Sequence, residues 1–286
     1  MWMETGLRKN TAWPLPVASF WAGEPLSFIE QMVIRSYQEQ GCDLTLYLAH
    51  PVAGVPDGVR TADAADIMPP PDFLSDPPTR KQLAVWSDLF RIRLLERHQV
   101  IWADLDAYCL RPFALNEGYA AGLDDRGGVL SGVLALPQDC PTLQLMARFL
   151  EGRQLEPPWA DPGWLDRRRG QDRLGPADLP WGDTGPRLLT HALQQTGQFW
   201  RAAPRHIYYP LFRDSLRLLW TPGAPDRLIQ RDGTTSVHIF GFTKRALWTW
   251  WQGLPPPESW LARTARRHGI DPADAPAKAE PLPLKG

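Results

Sequence analysis

The sequence predicts an α/β fold with a mostly parallel central sheet flanked by helices. Three observations carry that expectation: a β-α-β pattern in the first fifty residues, a short apolar strand at 100–103 ending in two aspartates, and helices of clear apolar period between the strands. The 286 residues, 43% apolar and 22% charged, are enough to bury a sizeable core. Formal charge is −1, so no global field recruits nucleic acid or an anionic membrane. No apolar run approaches the roughly 20 residues that cross a bilayer. Met1-Trp2-Met3-Glu4 does not read as a secretory signal, which points to the cytoplasm. Cys42, Cys109 and Cys140 match neither a disulfide framework nor a zinc knuckle and read as reduced core residues.

Val17 to Trp21 is a buried first strand, bounded by prolines and Gly23. Leu26, Ile29, Val33 and Tyr37 recur at helical spacing until Gly41, and Leu44, Leu46 and Leu48 then alternate as a second strand. Residues 50–78 are a long Pro/Gly/Asp-rich connection. A helix follows Pro78, with Leu83, Trp86, Phe90, Leu94 and Leu95 as its apolar stripe, and leads to the strand Val100–Ala103. Val129–Leu136 reads as a strand, Pro141–Leu150 as a helix, and 153–180, with Arg167-Arg168-Arg169, as a mobile surface insertion. Gly185-Pro186 opens a helix to Gln195 that Asp183 and Thr184 are placed to cap. A strand at 235–240 precedes a Trp-rich helix, Thr243–Trp251. Residues 1–252 thus read as one domain, and 253–286 as a Pro-rich extension with a short basic helix and a frayed tail.

Asp104 and Asp106, at i and i+2 on an extended segment, point to one side and can approach one divalent cation; oxygen ligands suit Mg²⁺ or Mn²⁺. The pair alone is weak evidence, since 22 aspartates in 286 residues give about 1.7 such pairs by composition. Context adds weight: the strand end is where open α/β sheets hold ligands, and Asp88 and Arg91 share a face of the preceding helix. Those two are either part of the same cleft or an ordinary surface ion pair.

The stretch SDLFRIRLLERHQVIWADLDAYCLRPF, Ser87 to Phe113, resembles the signature of glycosyltransferase family 32, DXD-containing sugar transferases distantly related to the clostridial glucosylating toxins. Phe20 to Tyr47 is similar to the opening of the bacterial members, and DTGPRLLTHAL, Asp183 to Leu193, resembles their TGPxxLT helix start. The resemblance implies a GT-A fold and transfer of a sugar from a nucleotide-diphosphate sugar, UDP favoured, to a glycan or lipid-linked acceptor. It implies Mn²⁺ or Mg²⁺ as cofactor, retention of configuration, and work at the inner face of the membrane in surface polysaccharide synthesis. By position, Asp106 would ligate the metal, Asp104 would contact the ribose or sugar and help hold the metal, and Asp88 and Arg91 would face the donor. Trp102 matches the aromatic before the acidic pair, and Phe20 and Trp21 lie where the fold seats the nucleobase, or are simply core. His238 either completes the metal shell or is a core histidine, and Lys244 would neutralise phosphate. Ser131 stands where the family often has a donor-binding Asn, and Asp183 or Asp214 could assist the acceptor. Two alternatives remain: a catalytically silent nucleotide-sugar or glycan binder, and a metal-dependent phosphoesterase, which would want ligands for a second metal.

Overall fold

Ser27 starts the first helix by a reciprocal cap: Glu30 accepts from the Ser27 backbone N–H at 2.9 Å, and the Ser27 hydroxyl accepts from Ile29. That helix, α1 (Phe28–Glu39), joins strands β1 (Val17–Trp21) and β2 (Leu44–Leu48), which pair in parallel from Val17 opposite Leu44 to Trp21 opposite Leu48. The computed structural model describes residues 12–152, 155–168, 174–223 and 226–279. The Met1–Glu4 reading, Arg169 of the arginine run and the end of the tail lie outside these.

The connection after β2, where only short elements are expected, contains the four-residue strand β3 (Arg60–Asp63), parallel to β2. Then come α2 (Arg80–Arg97), β4 (Ile101–Ala103), β5 (Ala107–Cys109), β6 (Ala120–Leu123), β7 (Val129–Ala135) and α3 (Pro141–Leu150). They are followed by the short α4 (Pro162–Asp166), α5 (Pro186–Gln195), the short α6 (Asp226–Ile229), β8 (Ser236–His238), α7 (Phe240–Trp251) and α8 (Trp260–Arg267). The central sheet runs β3-β2-β1-β4-β7-β6, with β3, β2, β1 and β4 mutually parallel and β7 antiparallel to both its neighbours. The fold is therefore mixed α/β on a mostly parallel six-stranded sheet, as expected. Segment 235–240 departs from expectation: β8 pairs with β5 in a separate two-stranded antiparallel sheet, and α7 already begins at Phe240.

Period-two alternation divides the core between the sheet's faces. Val17, Leu46, Ile101 and Ala103 pack with α1, α7 and α8, whereas Ala18, Phe20 and Trp102 pack with α2, α3 and α5. Phe90 of α2 is fully buried against Phe20, Tyr47 and Trp102, and truncating such a ring to Ala costs about 3–5 kcal/mol.

The C-terminal extension does not fray through residue 279. Trp260, Leu261, Ala265 and Ala277 join the α1 side of the core. Backbone bonds explain it: Phe28 donates to the Ala275 carbonyl at 2.7 Å, and Ala277 to that of Gly253 at 3.0 Å.

Candidate metal and ligand cleft

Asp104 and Asp106 follow β4 at the carboxyl edge of the parallel strands. They lie on a turn, not on the extended segment expected: the Ala107 N–H donates to the Asp104 carbonyl at 2.9 Å, closing a reverse turn that leads from the large sheet into β5. Turn geometry, not strand pleat, brings the two carboxylates together. Opposite Ala107 in the small sheet stands His238. Its Nε2 is 3.2 Å from Asp106 Oδ1 and 3.4 Å from Asp104 Oδ2, and one donor atom from each of the three residues lies within 4.8 Å of the others. Among the described residues this is the one such cluster of three or more.

The cluster is held from behind. Arg91, 5% exposed, donates to the Ser131 carbonyl at 2.7 Å, to Ser131 Oγ at 2.5 Å and to Asp104 Oδ1 at 3.1 Å, and lies 3.4 Å from Asp88. Trp102 Nε1 donates to the same Asp104 Oδ1 at 2.7 Å, and the Arg91 guanidinium lies over its ring at 4.8 Å. One oxygen of Asp104 is thus anchored while the other faces His238. Asp88 is held in turn by the Thr184 hydroxyl, which donates to it at 2.7 Å. Two glycines make room. A Cβ on Gly132 would come within 2.3 Å of His238 Nε2, and one on Gly185 within 2.5 Å of Asp88 Oδ1.

Burial pushes the Asp104 carboxyl up, but Arg91 and His238 outweigh it and leave this group below the ordinary carboxylate range. Asp106 goes the other way: burial raises it, and His238 opposes only partly. Asp88 is also raised by burial, against the pull of Arg91 and Thr184. Burial depresses His238, yet Asp106 and Asp104 more than compensate and raise it.

Two carboxylates and one imidazole nitrogen are a donor set that can hold a metal ion. His238 Nδ1 is buried without a hydrogen-bond partner, so its ring is oriented by Nε2 and by packing, with Phe240 4.2 Å and Tyr209 5.5 Å away.

The cluster opens on a cleft of about 1580 Å³, larger than the roughly 300–1,000 Å³ of a pocket for one small molecule. Asp88, Arg91, Ser131, Trp21, Lys244 and Asp214 all line it. Several anticipated roles change. Phe20 takes the core alternative, its ring stacked on Phe90 at 4.5 Å and edge-on to Trp86 at 5.0 Å, while it also lines the cleft. Trp102, 1% exposed, donates to Asp104 and also lines the cleft. Arg91 directs its two terminal nitrogens at Ser131, Asp104 and Asp88, while its buried Nε has no hydrogen-bond partner. Lys244 is paired with the buried Glu30 and lies 5.1 Å over the Trp21 ring, so its charge is already compensated. Gly185 caps α5 in place of the expected Thr184, because that hydroxyl serves Asp88, and buried Asp183 pairs with Arg187 at 3.0 Å.

Glu30, Gly132 and Tyr209 escaped sequence reasoning as parts of the site, as did the approach of Thr184 and Gly185 to Asp88. Thr184 reaches Asp88 across 96 residues, and nothing local marks such a contact. Gly132 carried one legible sign, a glycine inside an apolar strand, which signals close approach of another group. No protein-family model matches the chain, and no curated protein matches it.

Proposed function

We propose that the cleft binds a nucleotide-diphosphate sugar and transfers its sugar, in a GT-A arrangement like that of glycosyltransferase family 32. The observation that supports this reading best is the meeting of Asp104, Asp106 and His238 at the carboxyl edge of the parallel strands, with Asp88 and Arg91 directly behind. Asp104, Asp106 and His238 would hold the cation, and the imidazole beside two carboxylates favours Mn²⁺ over Mg²⁺. When bound, the cation would supply electrostatic stabilisation of the departing diphosphate. Arg91 and Trp102 fix the inner oxygen of Asp104 so that its outer one stays aimed at the cleft. Trp21, half-exposed with its Nε1 donating to Glu24, offers an indole face to a base. UDP-sugars are the favoured donors, and a cleft of this size has room for an acceptor glycan beside them.

The test is thermal stability and sugar release across a panel of UDP- and GDP-sugars, with and without Mn²⁺. The expected result is stabilisation that needs both nucleotide and metal, and slow hydrolysis of one donor that Asp106→Ala lowers at least about a hundredfold. A panel that leaves melting temperature and every donor unchanged would refute the proposal.

A further inference from the structure

Helix α7 ends in a cluster of exposed indoles. Phe242, Trp248, Trp250, Trp251 and Leu254 are 36% to 52% exposed, five large apolar side chains within thirteen residues. Scattered exposed apolar residues are ordinary, but a cluster of this kind marks an interaction surface. At about 100° per residue, Trp248, Trp250 and Trp251 leave the helix in three different directions. The helix stops just beyond them, where Gln252 (φ 52°) and Gly253 (φ 84°) turn the chain back. The rings therefore surround a tip instead of forming one stripe. A folded protein partner covers one side of a helix, whereas a fluid interface covers every side of a tip. Indole, an apolar body with one N–H, is also the side chain that settles at headgroup depth.

Charge points the same way. No Asp or Glu occurs between Asp232 and Glu258, in a chain where 32 of 286 residues are acidic. The Arg245 guanidinium lies 6.0 Å over the ring of Phe242, in the first turn of α7, and Arg245 itself stands one turn before Trp248; exposed Arg217 lines the cleft that Phe242 also lines. Basic groups next to an apolar tip complement anionic headgroups. Phe242 and Trp250 also line the mouth of the cleft. No described helix is long and apolar enough to cross a bilayer.

We propose that the C-terminal tip of α7 docks on an anionic lipid surface, which turns the mouth of the cleft toward the bilayer. The inference does not rest on the sugar-transfer reading.

The experiment is flotation of the full chain with phosphatidylcholine vesicles, with or without about 30% phosphatidylglycerol, beside W248S/W250S/W251S. Wild type is expected to float with the anionic vesicles and less with neutral ones. The triple variant should partition at least tenfold more weakly at an unchanged melting temperature. Lipids brominated high in the acyl chains should quench part of the wild-type tryptophan emission, a readout that holds even if the variant fails to fold. Absence of wild-type flotation together with absence of quenching would overturn the proposal. So would equal partition of folded wild type and variant. A wild-type dimer that the triple substitution dissociates without lipid would assign the tip to a second copy and also overturn it.

Discussion

Gly132→Ala tests whether the three candidate ligands act as one unit. The added Cβ would lie 2.3 Å from His238 Nε2, 2.5 Å from its Cδ2 and 3.1 Å from Asp104 Oδ2. Ordinary contact at about 3.5 Å requires the imidazole to retreat by roughly 1 Å. Phe240 and Tyr209, packed around that ring, oppose the retreat. Overpacking of this kind costs about 1–3 kcal/mol, and the displaced nitrogen should lower Mn²⁺ affinity at least about tenfold. Calorimetric titration with Mn²⁺, beside thermal melts, reads both effects. Gly175→Ala is the control, because its Cβ would meet nothing closer than 3.7 Å. Unchanged Mn²⁺ affinity and unchanged melting in G132A would show that His238 does not belong with Asp104 and Asp106.

Arg91→Met should destabilise the chain by about 3–5 kcal/mol in urea unfolding, because it strands the Asp88 and Asp104 carboxylates without their counter-charge. Asp106→Asn removes a carboxylate that burial holds above its ordinary range, so stability should hold or rise while Mn²⁺ binding is lost, as melts and titrations would reveal. Thr184→Val leaves Asp88 without its hydroxyl donor and should cost about 1.5–3 kcal/mol in the same unfolding assay. Burial pushes the Cys42 thiol up to about 12. A raised acid favours its protonated form in the fold, so this contribution to stability is complete below the ordinary thiol value and is lost as pH rises toward 12. Iodoacetamide at pH 8 should therefore modify Cys42 about three decades more slowly than a free thiol, with the rate still rising tenfold per pH unit above pH 9.

Local patterns were legible where one element answers to its own residues. Alternating leucines in β2, the stripe of α2 and the proline start of α3 all fold as their sequences read. β3 was hidden because Arg60-Thr61-Ala62-Asp63 lies at the sheet edge and carries no apolar alternation. β5 was hidden for the opposite reason: Ala107-Tyr108-Cys109 continues the preceding strand in sequence, and only the turn at Asp104 diverts it to a second sheet. The site shows the same division. Asp88, Arg91, Asp104 and Asp106 fall within nineteen residues, so their company could be anticipated. Where Arg91 and Trp102 direct their donors could not, because both turn inward to Asp104 and Ser131, and that depends on how α2 packs over β4 and β7.

The turn at Asp104–Ala107 leaves the ligand triangle suspended between two sheets, with β4 at one end and the β5–β8 pair at the other. The smaller pair is pinned from outside: the Tyr37 hydroxyl donates to the Ala107 carbonyl, the Cys109 N–H donates to Ser36, and Tyr108 is paired with His268 at the end of α8. The last described helix therefore has a mechanical line to the three candidate donor atoms. Loosening that distant anchor would widen the spacing of three donors that it never touches.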